Sequence, residues 1–61
     1  MDIIITRLDN SYTWREPEGE NKGVSQKADE FSDIFEELDI EFTDEIKDQI
    51  LGMKPTEVLE F

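Results

Sequence analysis

Residues 29–46, DEFSDIFEELDIEFTDEI, decide both the fold and the surface of this 61-residue chain. The stretch contains nine acidic side chains, seven apolar ones, one serine, one threonine and no Lys or Arg. With Ser25 as the N-cap, the pattern predicts an amphipathic helix over residues 26–38 with an anionic outer face. Its apolar residues fall within an arc of about 120° at 100° per residue. They are Ala28, Phe31, Ile34, Phe35 and Leu38.

The second half of the stretch changes its period. Residues 38–42 alternate apolar and acidic side chains, which is typical of an extended connector or a short strand. Thr43 then caps a second predicted helix, which has acidic residues in its first turn, where carboxylates interact favourably with the helix dipole. Gly52 and Pro55 end this helix. The remaining residues, 56–61, fit either a strand or a short helix.

The N-terminal part of the chain is predicted to form a β-hairpin. Residues 1–8 are rich in β-branched side chains, Asp9-Asn10 is a turn signal, and residues 11–15 read as the return strand. Residues 16–23 combine Pro, Gly and Asn without a large apolar side chain, which is typical of a loop. The predicted fold class is α+β: one small domain with an N-terminal β-hairpin, two short helices and a C-terminal strand or short helix.

The small size of the chain limits its stability. A domain of about 60 residues buries only about 60 % of the surface that its unfolded chain exposes. The sequence contains no Cys for a disulfide and no His, so self-association is expected, with a homodimer as the simplest form. No apolar run approaches the roughly 20 residues of a membrane span, and residues 1–8 lack the basic start of a secretory signal. A cytoplasmic location is therefore expected.

The net charge of −11 is concentrated in one block. Residues 1–27 hold five acids and four bases, residues 28–46 nine acids and no base, and residues 47–61 three acids and two bases. The three segments therefore carry −1, −9 and −1. Such a block repels nucleic acid and anionic membranes, and it attracts a protein whose own surface is basic. We expect a basic DNA-binding protein as the partner, without direct contact to nucleic acid or membrane.

Catalysis and metal binding are both disfavoured by the residue types present. The chain has no thiol nucleophile, no imidazole base and no Gly-rich phosphate loop. Few chains of this size enclose a pocket that could tune a catalytic carboxylate. Residues 39–44 place apolar side chains between the acids and lack the glycine of a calcium-binding loop. We expect neither enzymatic activity nor a metal or cofactor site.

The density of carboxylates is compatible with mimicry of DNA. Nine acids over 18 residues, at about 1.5 Å rise per helical residue, give roughly one charge per 3 Å. One strand of DNA carries about one charge per 3.4 Å. Solubilising faces usually mix both signs, whereas here like charges are tolerated three and four residues apart, which suggests an external use for the charge. The predicted phosphate mimics are Glu30, Asp33, Glu36, Glu37, Asp39 and Glu41.

Apolar residues beside these acids have two interpretations. Those of the first helix more often form core than a contact surface. Ile40 and Phe42 either close the core or stand among the acids as an apolar anchor, which would prolong the binding of a partner attracted by charge. The predicted apolar contact residues are Phe35, Ile40 and Phe42.

Several features occur in a particular order along the chain. A hairpin is followed by Lys22-Gly23-Val24-Ser25 leading into a helix, then by residues 33–38, DIFEEL, and then by Asp44-Glu45-Ile46. This order, over about half of the chain, resembles the small acidic inhibitors of uracil-DNA glycosylase encoded by phages. The sequence departs from that pattern in a longer segment between Pro17 and Glu30 and in the tail after Pro55.

The resemblance implies a dimeric DNA mimic in which carboxylates take the place of phosphates. It also implies an apolar patch that captures the side chain which the enzyme normally inserts into the DNA minor groove. By position, Phe35 would belong to this patch, with Phe31 or Phe42 as the alternatives, and Glu36 and its neighbours would be the phosphate substitutes.

The sequence therefore predicts an inhibitor that occupies the DNA-binding cleft of a host enzyme, most specifically uracil-DNA glycosylase. An anti-restriction or anti-CRISPR DNA mimic would use the same electrostatic principle. An acidic interaction module that docks on a basic protein without resembling DNA is the alternative from another class. An accessory domain with an acidic surface is a third possibility.

Overall fold

The computed structural model describes all of residues 1–61 and contains a four-stranded antiparallel sheet and two helices. The helices pack on one face of the sheet, and the predicted α+β class is confirmed. In spatial order, β3-β2-β1-β4, the middle pair is the predicted hairpin. The elements are β1 Ile4–Arg7, β2 Tyr12–Arg15, β3 Lys22–Ser25, a 3-10 turn Ala28–Glu30, α1 Phe31–Glu37, α2 Asp44–Leu51 and β4 Val58–Glu60. No helix has the length and apolar character needed to cross a membrane.

The hairpin of β1 and β2 is confirmed, although both strands are shorter than predicted. Ile5 pairs with Trp14 in an antiparallel register. The N–H of Leu8 donates to the carbonyl oxygen of Ser11 at 2.8 Å, so the bend falls on Asp9-Asn10 as expected. Two strands alone are marginal in water, and the structure stabilises the hairpin by adding a strand on each side.

The strand β3 was not predicted, because Lys22 and Gly23 were assigned to a loop. The loop is shorter, residues 16–21, and the N–H of Glu16 donates to the carbonyl oxygen of Asn21 at 2.9 Å across it. Gly23 pairs with Trp14. A Cβ atom on Gly23 would lie 3.0 Å from Nε1 of Trp14, so the indole ring occupies the space that a larger residue would fill.

The start of the first helix also differs from the prediction. Ser25 is not an N-cap: it is the buried last residue of β3, and its hydroxyl donates to a carboxylate oxygen of Glu30 at 2.5 Å. Residues 26 and 27 are not helical, and a 3-10 turn precedes α1. Thr43 caps α2 as predicted, since its Oγ1 accepts the N–H of Ile46 at 3.2 Å. Gly52 ends α2 as predicted.

The C-terminal segment forms a strand, which decides between the two predicted alternatives. Leu59 in β4 pairs with Ile5 in β1, and the N–H of Phe61 donates to the carbonyl oxygen of Ile3 at 2.9 Å. Between the sheet and the helices, the ring of Tyr12 meets that of Phe31 edge-on at 5.4 Å between centroids. The buried apolar core consists of Ile3, Ile5, Tyr12, Ala28, Phe31, Phe35, Ile50 and Met53.

Candidate functional site

An open groove of about 550 Å³ lies where α1 ends and the connector to α2 begins. The acidic side chains that line it are exposed, whereas its two apolar side chains are half-buried. The groove therefore has an apolar base and an acidic rim, and we call it the acidic groove. Its lining residues are Ser32, Glu36, Asp39, Ile40, Glu41 and Phe42.

The acidic groove is shaped by the way α1 ends. The N–H of Ile40 donates to the carbonyl oxygen of Phe35 at 2.8 Å, and the N–H of Asp39 donates to that of Glu36 at 3.1 Å. This pair of bonds, with Asp39 at a φ of 58°, is a Schellman motif. It satisfies carbonyl groups at the helix end and turns the chain back, so that Ile40 packs against the core. The turn brings Asp39 to the same groove as Glu36.

Asp39 stands at a position whose backbone geometry favours glycine. A left-handed φ places the Cβ of an ordinary residue in a strained position, although Asp tolerates it better than most. The cost relative to glycine is about 1 kcal/mol. The chain therefore holds a carboxylate in the acidic groove at a local energetic disadvantage.

Ile40 and Phe42 lie where the core and the acidic groove meet. The Phe42 ring packs against that of Phe35 with 4.9 Å between centroids and an interplanar angle of 73°. Both residues pack on the core and both line the groove. Each therefore has one side that stabilises the fold and another that a partner can reach.

Phe35 lies elsewhere than the sequence prediction places it. Its side chain is 0 % exposed, and its ring also packs edge-on against Phe31 at 6.4 Å between centroids. The prediction that Phe35 is an apolar contact residue is therefore corrected: it is the central aromatic residue of the core. The helical period alone does not distinguish a residue at the centre of an apolar face from one at its edge.

The other predicted phosphate mimics divide into two kinds. Asp33 and Glu37 are exposed on α1 outside the acidic groove. Glu30 is also exposed, but one of its carboxylate oxygens accepts the hydroxyl of Ser25 and the N–H of Gln26. The hydrogen bond from Ser25, followed by that from Gln26, lowers the pKa of Glu30 below its usual value. Glu30 thus ties the end of β3 to the start of the helical segment.

The acidic block remains almost unneutralised in the folded chain. Its one salt bridge joins Lys47 of α2 to Asp29 at 3.3 Å between Nζ and Oδ1. Both side chains are substantially exposed, so this pair contributes little to stability. None of the carboxylates of the acidic groove has a cationic partner within 4.0 Å. No three carboxylates are arranged to hold a metal ion.

Ser32 is the one residue of the acidic groove that the sequence interpretation did not include. It lies four residues before Glu36, a spacing that places two helical side chains on the same face. That spacing could have identified it.

Comparison with family models, with curated proteins and with solved structures finds no match to this chain. The resemblance to glycosylase inhibitors therefore stays a prediction.

Proposed function

We propose that this chain binds the basic cleft of a nucleic-acid enzyme through the acidic groove, as a mimic of DNA, and most specifically that it inhibits uracil-DNA glycosylase. One observation carries the proposal. Glu36, Asp39 and Glu41 surround an accessible apolar base, and no cation of the chain pairs with them.

The unpaired charge favours a partner with arginine or lysine side chains. Carboxylates that are held close together repel one another, and a basic surface that approaches them relieves this repulsion. Arg and Lys side chains that normally contact phosphates can bind these carboxylates with charge-assisted hydrogen bonds. Such binding weakens as salt is added, because the charges lie near solvent.

The apolar base gives the groove a second kind of contact. Ile40 and Phe42 are half-buried, so an apolar side chain of the partner can cover the remaining surface of both. Contacts of this kind at the centre of a charged surface slow dissociation, whereas the surrounding charges mainly accelerate association. The groove therefore combines long-range attraction with a short-range apolar contact.

The proposal is tested by uracil excision from DNA by purified uracil-DNA glycosylase, with and without this protein. The groove variant Glu36→Gln/Asp39→Asn/Glu41→Gln is compared with the control variant Glu18→Gln/Glu20→Gln/Glu57→Gln. Each triple variant changes the net charge from −11 to −8. We expect the groove variant to inhibit about 100-fold more weakly than the natural sequence, and the control variant to lose little.

Each possible result has a distinct meaning. Equal losses in both variants would show that the overall charge acts and that the groove has no special part. Absence of inhibition at a micromolar excess of protein would reject uracil-DNA glycosylase as the target. Binding to a basic enzyme that DNA does not displace would favour an acidic interaction module over a DNA mimic.

A further inference from the structure

The face of the sheet turned away from the helices carries side chains of all four strands. Because strand residues alternate between faces, the buried Ile5 and Tyr12 mark the inner face, and their neighbours in each strand point outward. The register then defines two rows across this outer sheet face. One row is Lys22, Arg15, Ile4 and Glu60, and the other is Val24, Thr13, Thr6 and Val58.

The outer sheet face is accessible and partly apolar. Its second row consists only of uncharged β-branched residues, and Val24 and Val58 at its ends are 63 % and 51 % exposed. Ile4, Thr6 and Thr13 also line a shallow depression on this side of the sheet. A row of exposed β-branched side chains across a sheet gives the face of a second sheet a surface on which to pack.

Two of the three charged residues on this face are arranged to pair with those of a second copy, whereas the third, Arg15, then faces an apolar residue. Lys22 lies on the edge strand β3, and Glu60 lies in the same row on the opposite edge strand β4. A twofold axis parallel to the strands, between β1 and β2, places β3 of one copy opposite β4 of another and keeps each row in line. Lys22 then faces Glu60 of the second copy, and Val24 faces its Val58.

We infer that the outer sheet face is the interface of a homodimer with this twofold symmetry. Packed sheets lie about 10 Å apart and cross at about 30°, which long Lys and Glu side chains can accommodate. This arrangement also directs the two acidic segments, residues 28–46, to opposite ends of the dimer. Docking through the helices would instead bring a charge of −9 against another of −9.

The size of the face sets the strength of the association. Four strands spaced about 4.8 Å apart, each about 13 Å long, cover roughly 250 Å² per copy. Two copies together contribute roughly 500 Å² of flat sheet area, and although side chains enlarge this area, such an interface is smaller than the roughly 1,200–2,000 Å² that stable complexes bury. We therefore expect dissociation constants in the micromolar range and a dimer that forms reversibly.

Sedimentation equilibrium of the full chain at 10 μM to 1 mM and 0.15 M salt tests the inference with a charge exchange. Lys22→Glu and Glu60→Lys should each weaken self-association about tenfold, because each creates two like-charge contacts across the interface. An equimolar mixture of the two variants should form a heterodimer, since both contacts are then between opposite charges. The double variant Lys22→Glu/Glu60→Lys should associate like the natural sequence.

The charge exchange distinguishes contacts across this interface from effects within one copy and from net repulsion. Within one copy, residues 22 and 60 lie about 14 Å apart by strand spacing, which is beyond the screening length of about 8 Å. Recovery of self-association in the mixture or in the double variant therefore arises from contacts between copies. Lys22→Glu has a net charge of −13 and Glu60→Lys one of −9. If net repulsion alone governed association, Glu60→Lys would associate more strongly than the natural sequence, which is the opposite of our expectation.

A second pair of variants tests the apolar row. Val58→Lys should weaken the dimer, whereas Leu51→Lys, on α2 and 57 % exposed, should not. Circular-dichroism melts establish that each variant is folded. A natural sequence that stays monomeric at 1 mM would overturn the inference, as would a dimer unaffected at residues 22, 58 and 60, or a mixture that associates no better than its components.

Discussion

The sheet and the helical segment share one core but differ in the charge that they present. The four strands contain the bases Arg7, Arg15 and Lys22 and a single acid, Glu60. Residues 28–46 contain nine acids and no base. The comparison shows that the charge of this chain follows its layers, and is not spread to keep the whole surface soluble. The two layers therefore present surfaces that differ in the sign of their charge.

The two regions also differ in what holds them together. The strands form hydrogen bonds with neighbours along the sheet, and two of the three pairings are between strands adjacent in sequence. The helices contain seven and eight residues, and isolated helices shorter than about 12 residues are marginal in water. The helical segment therefore depends on the burial of its apolar face.

Removal of the Phe35 ring should disrupt the helical segment most strongly. Phe35→Ala is expected to cost about 3–5 kcal/mol of unfolding free energy because it leaves a cavity in the core. A chain of this size has a total stability of roughly 3–9 kcal/mol. Urea unfolding followed by circular dichroism should therefore show a largely unfolded or barely stable variant. Phe42→Ala, which truncates a half-buried ring, should cost clearly less; a normal melt for Phe35→Ala would return this residue to the surface.

Two residues with positive φ allow the regions to be compared for strain. Asp39 (φ 58°) lies in the helical region and Thr56 (φ 75°) lies just before β4. Asp39→Gly and Thr56→Gly should each stabilise the fold by about 1 kcal/mol, measured by urea unfolding. Only Asp39→Gly should weaken binding to the proposed basic partner. Asp39→Asn should weaken binding equally with little gain in stability, because Asn also tolerates the left-handed backbone.

Repulsion between the carboxylates of the helical region should lower the stability of the fold most strongly at low salt. The groove variant Glu36→Gln/Asp39→Asn/Glu41→Gln removes repulsion and should be about 0.5 kcal/mol more stable than the natural sequence in 10 mM NaCl. The difference should shrink at 500 mM NaCl, as measured by thermal melts at both concentrations. The control triple variant at residues 18, 20 and 57 should show a smaller gain. An identical response of the groove variant and the control variant to salt would mean that the repulsion is spread over the whole chain and is not concentrated in the acidic groove.

The hydrogen bonds that join the two regions at Glu30 should make the free energy of unfolding depend slightly on pH in the acid range. The pKa of Glu30 is lower in the folded chain than its ordinary value of 4.5. The ionised carboxylate therefore stabilises the fold above pH 4.5, and this contribution is lost as pH falls through the folded pKa. Glu30→Gln should remove this part of the pH dependence in unfolding measured from pH 6 to pH 3. An unchanged profile would show that these hydrogen bonds do not contribute.

Much of the fold follows from local patterns in the sequence. The hairpin, the cap at Thr43 and the helix end at Gly52 each depend on a few neighbouring residues, and each was predicted. The strand β3 depends on a cross-strand contact, because Gly23 is suited to a strand only where the Trp14 ring covers it. Ser25 has the residue type of an N-cap, but its position in the sheet overrides that local preference.

The candidate site was predicted in part for a similar physical reason. The composition of residues 29–46 identifies the acids, and alternation in residues 38–42 draws attention to Ile40 and Phe42. The convergence of Glu36, Asp39 and Glu41 depends on the left-handed turn at Asp39. A glycine at this position would have predicted such a turn, whereas an aspartate does not. The depth of Phe35 depends on packing against Phe42 of the connector and Phe61 beyond β4, and no local pattern in the sequence predicts these contacts.

The pairing of β1 with β4 has a consequence for the order of events in folding. Ile5 pairs with Trp14 nine residues away but with Leu59 54 residues away (59 − 5 = 54). Closing the longer loop costs about 1.6 kcal/mol more in chain entropy. The hairpins should therefore form in the transition state and β4 should dock after it. Leu59→Ala should then accelerate unfolding in stopped-flow experiments and leave the folding rate almost unchanged, because β4 pairs with β1 only after the barrier is crossed.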